Sequence, residues 1–178
     1  FTLTETTSVT LAYTFAQVGT QAESRAGVDN FKLEKFDATA TSDLSWGWTS
    51  MIANAGFELG TATSNTNAVN VPYGYEMVCD FTGTGWTNSG IITDNPSEGS
   101  KAYEVWSGKI TSVDMHQSLT LPMGKYTLTG DMRTDKTANI TTQGVYATAD
   151  GSTYQSPTIT TVASTWNGAD SWNDLSRT

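Results

Sequence analysis

The strongest constraint on this chain is a period of two. In its opening stretch, FTLTETTSVTLAYTF, Phe1 and Leu3 share one face and Val9, Leu11, Tyr13 and Phe15 form a second alternating run, with Thr and Ser filling the gaps. A strand sends successive side chains to opposite faces, so this pattern predicts half-buried strands. Glu5-Thr6-Thr7-Ser8 reads as a hairpin turn between the two runs. No stretch repeats its apolar residues at helical spacing, and Thr and Ser stand where a helical protein carries Glu, Lys and Leu.

Further strands are predicted within 26–36 (AGVDNFKLEKF), where Val28, Phe31 and Leu33 face the core and Lys32, Glu34 and Lys35 face water, and at 75–81, 102–106, 113–121, 125–133, 143–148 and 158–162. Turn chemistry separates them. In LPMG, 121–124, Pro122 presets φ and Gly124 tolerates positive φ, and Asp150-Gly151 is a two-residue hairpin signal. Many short strands between turn residues predict an all-β fold, an antiparallel β-sandwich. Residues 37–49, DATATSDLSWGWT, read as a linker, and residues 50–178 as the main body of a sandwich lacking its last strands.

The close of the chain, DSWNDLSRT at 170–178, breaks off like a strand about to begin, and reading it into the opening gives SWNDLSRTFTLTETT without interruption. Residues 1–36 therefore read as closing strands, of their own sandwich or of a neighbour's. Three arrangements satisfy that reading: one period of a tandem array, strand addition to the open edge of another subunit, or a permutant that closes on itself with 37–49 joining the old ends. A sandwich without its last strands exposes apolar faces and unpaired backbone, so either 1–36 folds back or copies assemble. Head-to-tail contacts that do not close build filaments, and the array or fibre stands first among the three.

Charge narrows the partners. The formal net charge is −9 and the pI about 4.3, so no basic stripe exists to neutralise phosphates and nucleic acid is excluded as a partner. No apolar run has the length to span a bilayer, so membrane insertion is not expected. The acidic surface suits an extracellular or cell-surface protein. Cys79 is the one cysteine and reads as a buried, inert thiol.

In the joined order, 50–178 followed by 1–36, the chain resembles the jelly-roll modules of secreted Bacteroidetes proteins that are related to galactose-binding-like carbohydrate-binding modules. Asn54, Phe57 and Glu58 match an opening N-x-x-F-E motif, and Leu121 to Gly130 match an LPAGKYTLTA hairpin preceded by aromatics and a Gln, here Tyr103, Trp106 and Gln117. Trp172 to Thr178 continued by Phe1 to Leu3 match a closing W-x-x-x-S-x-T-F-x-L, and Val28 to Leu33 match a final V-D-N-F-K-L. The resemblance implies a galactose-binding-like jelly roll and a structural calcium where first and last strands meet, with Asp29 and Glu58 at the ligand positions. The plainer role for these two carboxylates is to accept hydrogen bonds from strand-end amides.

Trp and Tyr rings stack on the apolar faces of sugars, which makes Trp46, Trp48, Tyr73, Tyr75, Trp86 and Trp166 the candidates for a glycan platform. Trp106 and Trp172 fall in predicted strands and read as core. His116 sits on the face opposite Val113, Met115 and Gln117, with no nucleophile motif beside it, and no carboxylate pair is marked as flanking a glycosidic bond. The expectation is a noncatalytic extracellular module that binds glycan through loop aromatics. The alternatives are a structural unit of a surface fibre or adhesive stalk assembled from neighbouring copies, and an accessory module of a glycoside hydrolase.

Overall fold

The computed structural model describes residues 1–17, 24–36, 45–63, 68–81, 87–107, 110–134, 140–155 and 173–174. β2 (Thr7–Gln17) shows how the alternating pattern is spent: Val9, Leu11, Tyr13 and Phe15 are all buried, while Ser8 is exposed and Thr10 and Thr14 are half-buried. Its neighbours are β8 (Ile110–Leu121), which runs along it from Thr7 opposite Leu121 to Ala16 opposite Ser112, and β10 (Ile140–Ala149) on the other side. β5 (Glu76–Phe81) and β11 (Ser152–Gln155) flank these, giving a back sheet in the order β11-β10-β2-β8-β5.

The front sheet runs β1-β9-β3-β7-β6, from β1 (Thr2–Leu3) through β9 (Gly124–Thr134), β3 (Ser24–Phe36) and β7 (Ala102–Ser107) to β6 (Thr87–Ile92). β4 (Ser45–Gly47) continues the β7 side of β3, and β12 (Asn173–Asp174) shares the open edge of β9 with β1. All strand pairs are antiparallel, and Leu33, Val28, Tyr103, Tyr126 and Met132 meet Val9, Tyr13, Phe15, Met115 and Val145 in one core. The chain is an all-β sandwich of two antiparallel sheets.

Residues 1–36 supply strands to both sheets of their own chain. Glu5 to Ser8 is accordingly no hairpin. β1 belongs to the front sheet and β2 to the back, so the chain crosses between layers there, and Thr7 and Ser8 already lie in β2. LPMG is likewise an arch between β8 and β9, which lie in different sheets. Asp150-Gly151 is the two-residue hairpin expected, with φ of 50° and 74° and Ala149 opposite Ser152. Of the linker read at 37–49, Ser45–Gly47 is strand, paired with Glu34–Phe36. Residues 158–162 lie outside the described residues, and β6 is a strand that the turn-and-alternation reading missed.

The spacing Val28, Phe31, Leu33 breaks period two and yet all three are buried. The reason is a bulge: the register of β3 against β9 shifts between Asp29 and Lys32, with Asn30 at φ 52°. That extra residue also turns Asp29 toward the loop amides of Ser97 and Glu98 and Asn30 toward Asp131.

Candidate functional site

Where Val28, Tyr103, Ile91 and Met132 point into the core, the residues of opposite parity stand on the outer face of the front sheet. One row across it is Arg25, Trp106 and Asn88; the next is Arg133, Gly27, Glu104 and Gly90. An outer face should be wet, but Arg133, Asn88 and Glu104 are 1%, 4% and 5% exposed. Two segments bury them.

The first segment, 61–63 with 68–70, lies along β6. Thr63 N donates to Ile91 O at 2.8 Å, Asn70 N to Ser89 O at 3.1 Å and Ser89 N to Ala68 O at 3.1 Å. This close approach needs a glycine: a Cβ on Gly90 would lie 1.7 Å from the Thr63 Oγ1. That oxygen is buried with no hydrogen-bond partner among the described residues.

The second segment, 93–101, is held from below by four charged side chains. Arg133 donates through Nη2 to Asp94 O at 2.7 Å and through Nη1 to Asn95 O at 3.1 Å. Asp29 Oδ2 accepts from Ser97 N and Glu98 N at 2.9 and 3.2 Å, and its Oδ1 from Asn30 N at 2.7 Å. Asp131 Oδ2 accepts from Ser97 Oγ at 2.5 Å and Asn30 Nδ2 at 3.0 Å. Glu58 takes the far end, with Oε1 accepting from Ser100 N and Lys101 N at 2.7 and 3.0 Å and Oε2 from Ser100 Oγ at 2.7 Å.

Between the two segments is an open hollow of about 280 Å³. Trp106 and Arg25 form one wall, with the guanidinium carbon 3.6 Å from the centre of the indole. Glu104, Asn88, Thr63 and Asp94 also line it. Burial lowers the pKa of Arg133 to about 10, against the pull of Glu104, Asp94 and Asp29, so it stays charged at neutral pH. Burial pushes the Asp29 carboxyl up to about 6 despite its amide donors. The hollow thus presents an aromatic ring, a guanidinium, a carboxylate and an amide, groups suited to holding a small ligand rich in hydroxyls.

The two carboxylates read as calcium positions hold neighbouring parts of segment 93–101, Asp29 at Ser97 and Glu98 and Glu58 at Ser100 and Lys101, and their oxygens face N–H and O–H donors. A hard cation needs those same oxygens in one convergent set, so the residues as placed do not fit calcium. Among the described residues no three His, Cys, Asp or Glu converge to hold a metal. The motif around Glu58 has a structural account. Asn54 closes a turn by accepting from Leu59 N at 2.8 Å, Phe57 is fully buried and stacked on Tyr75 at 5.5 Å, and Glu58 reaches the loop.

The aromatic candidates disperse. Tyr75 is a correction: it is buried in the core between Phe57 and Phe31, because the turn before β5 tucks it under the N-x-x-F segment. Trp48 is half-buried, edge-on to Tyr126 at 6.2 Å with Lys35 5.2 Å over its ring, and so packs the linker onto β3. Tyr73 is 69% exposed. The side chain of Trp46, together with Trp86, Trp166 and Trp172, lies outside the described residues. Trp106 is the second correction: it is in a strand but faces outward, opposite Arg25 and Asn88.

Arg25, Asn88 and Glu104 were missed. The available signal was polar residues alternating with buried ones in β3, β6 and β7 beside glycines, which also describes any solvated face. His116 does lie on the outer face of the back sheet, where its Nδ1 is 2.8 Å from Asp114 Oδ1 and Tyr146 donates to the other Asp114 oxygen. No protein-family model, no curated protein and no solved structure matches this chain.

Proposed function

We propose that this protein is a noncatalytic, extracellular glycan-binding β-sandwich that takes a sugar unit in the hollow over β3, β7 and β6. The observation that carries the reading is the pair of outward-facing but buried polar groups that line it, Glu104 and Asn88, beside the Arg25–Trp106 stack. Groups fixed before binding lose little freedom on binding, and an aromatic edge with fixed hydrogen-bonding partners complements a pyranose. The aromatic is then a strand residue, Trp106, in place of the loop residues.

The test is a glycan array followed by calorimetry on the hits. Trp106→Ala and Glu104→Gln are expected to weaken binding at least tenfold, a loss of about 1.4 kcal/mol, while Tyr73→Ala leaves it unchanged. An array without hits, or affinity indifferent to Trp106, sinks the reading.

A further inference from the structure

The outer face of the back sheet carries a second polar constellation, on the far side of the sandwich from the hollow. One row across it is Tyr146, Ala12, His116 and Glu76, on β10, β2, β8 and β5; the next is Gly144, Thr14, Asp114 and Val78. Parity turns all of these outward, opposite the buried Val145, Tyr13, Val113 and Met115. Tyr146 reaches across the width of β2 to donate to Asp114 Oδ2. Ala12, between Tyr146 and His116 in register, is 2% exposed although it faces outward, so these side chains close over its methyl group.

This arrangement fixes the state of one imidazole. His116 Nδ1 is 2.8 Å from Asp114 Oδ1. An ionised carboxylate only accepts, so Nδ1 carries a proton, and in the neutral ring Nε2 is then a bare acceptor. Nε2 faces another acceptor, Glu76 Oε2, at 3.6 Å. Two facing acceptors need a cation between them, either a second proton on the ring or a metal ion. The carboxylate behind Nδ1 is the partner that a metal-ligating imidazole ordinarily has, since it holds the ring's orientation and makes the other nitrogen more basic. The separation suits zinc. A tetrahedral zinc ion with bonds of about 2.0–2.2 Å keeps its ligand atoms roughly 3.4 Å apart, and the Glu76 side chain, 86% exposed, has the freedom to close the difference.

We propose that His116 Nε2 and Glu76 form a zinc site that clips β5 to β8, with Asp114 as the positioning residue and Tyr146 holding Asp114 in turn. The two ligands stand directly opposite each other, where cross-strand Cβ atoms are about 4.5–5.5 Å apart. β5 is the last strand of the back sheet, so the ion ties down an edge. Among the described residues no third His, Cys, Asp or Glu completes the set, and water fills the remaining positions. An imidazole beside a carboxylate favours zinc over calcium and magnesium, which take oxygen ligands.

Zinc chloride alone, titrated into the intact, tag-free chain at neutral pH, should bind one to one by calorimetry and raise Tm. His116 is the single histidine, so the imidazole nitrogen signals in a 15N spectrum belong to it. Without zinc the neutral ring should carry its proton on Nδ1, and zinc should shift the Nε2 signal. His116→Ala should abolish binding. Glu76→Gln, at an exposed position that leaves the fold intact, should weaken it at least tenfold, and excess magnesium should not compete. Asp114→Asn should weaken it about 10–100-fold and redistribute the ring proton between the two nitrogens, which a purely structural role for Asp114 would not do. Binding that survives His116→Ala, an affinity indifferent to Glu76, or a neutral ring with its proton on Nε2 overturns the proposal. So does the absence of zinc binding, which would leave a proton as the bridge between the two side chains.

Discussion

At the scale of single residues, the wall of the hollow depends on an atom that is missing. A side chain on Gly90 would meet Thr63 Oγ1 at 1.7 Å and its Cβ at 3.0 Å, and a β-branched residue held by its backbone bond to Ile91 has little room to yield. Gly90→Ala is expected to destabilise by about 1–3 kcal/mol through overpacking, read as a fall in Tm of about 2–4 °C per kcal/mol. Thr63→Ala in the same chain should restore most of it, since the two substitutions act on one contact. Additive losses in the thermal melts would mean that Gly90 matters for another reason. Cys79 illustrates a quieter residue: burial and neighbouring Asp80 push its thiol up to about 11, leaving it a packing group.

At the scale of elements, segment 93–101 is a loop with charged anchors of opposite pH behaviour. Burial raises the Asp29 carboxyl to about 6. Its folded value lies above its unfolded one, so the stability it contributes is full below the ordinary carboxylate range and is lost as pH rises through about 6. Glu58 runs the other way. The Ser100 hydroxyl, the amides of Ser100 and Lys101 and the Lys101 charge lower its pKa, so its contribution is present above the unfolded value and is lost as pH falls through the folded one. In melts from pH 3 to 7, Asp29→Asn should flatten the decline on the way up to about pH 6, and Glu58→Gln should remove part of the loss at the acid end. Identical pH profiles for both variants and the parent would refute this division.

At the scale of the whole molecule, the two sheets are tied by more than apolar packing. Gln143 of β10, in the back sheet, donates through Nε2 to Tyr13 Oη at 3.1 Å and across the core to Gly27 O at 3.3 Å and Arg133 O at 3.1 Å. These carbonyls lie in β3, which carries Arg25 of the hollow, and in its neighbour β9. Gln143→Leu keeps the volume roughly and strands those acceptors, which costs about 1–3 kcal/mol for each buried group left unmade. The expected readout is a lower urea midpoint with the slope unchanged. A variant as stable as the parent would show that apolar packing alone holds the sheets together.

The sequence by itself determined the local grammar. Alternation in β2, β8 and β9 placed Val9, Leu11, Tyr13, Phe15, Val113, Met115 and Tyr126 in the core, and Asp150-Gly151 turned the chain as its φ requirements dictate. Tertiary structure alone decided which strands share a sheet, so that two apparent hairpins became arches between layers. It also decided the meaning of the outer face. Period two says that Trp106 and Val105 point opposite ways, but not which way is covered, and the buried Arg133, Asn88 and Glu104 owe their setting to segments that arrive from elsewhere in the chain. Asp29 and Glu58 were legible as strand-end carboxylates; that both hold the same loop follows from the bulge at Asn30 and the turn at Asn54, each a positive-φ residue whose effect is to aim a neighbour. Strand parity is a local property of the backbone, whereas a binding hollow is made where distant segments cross, and only packing brings those together.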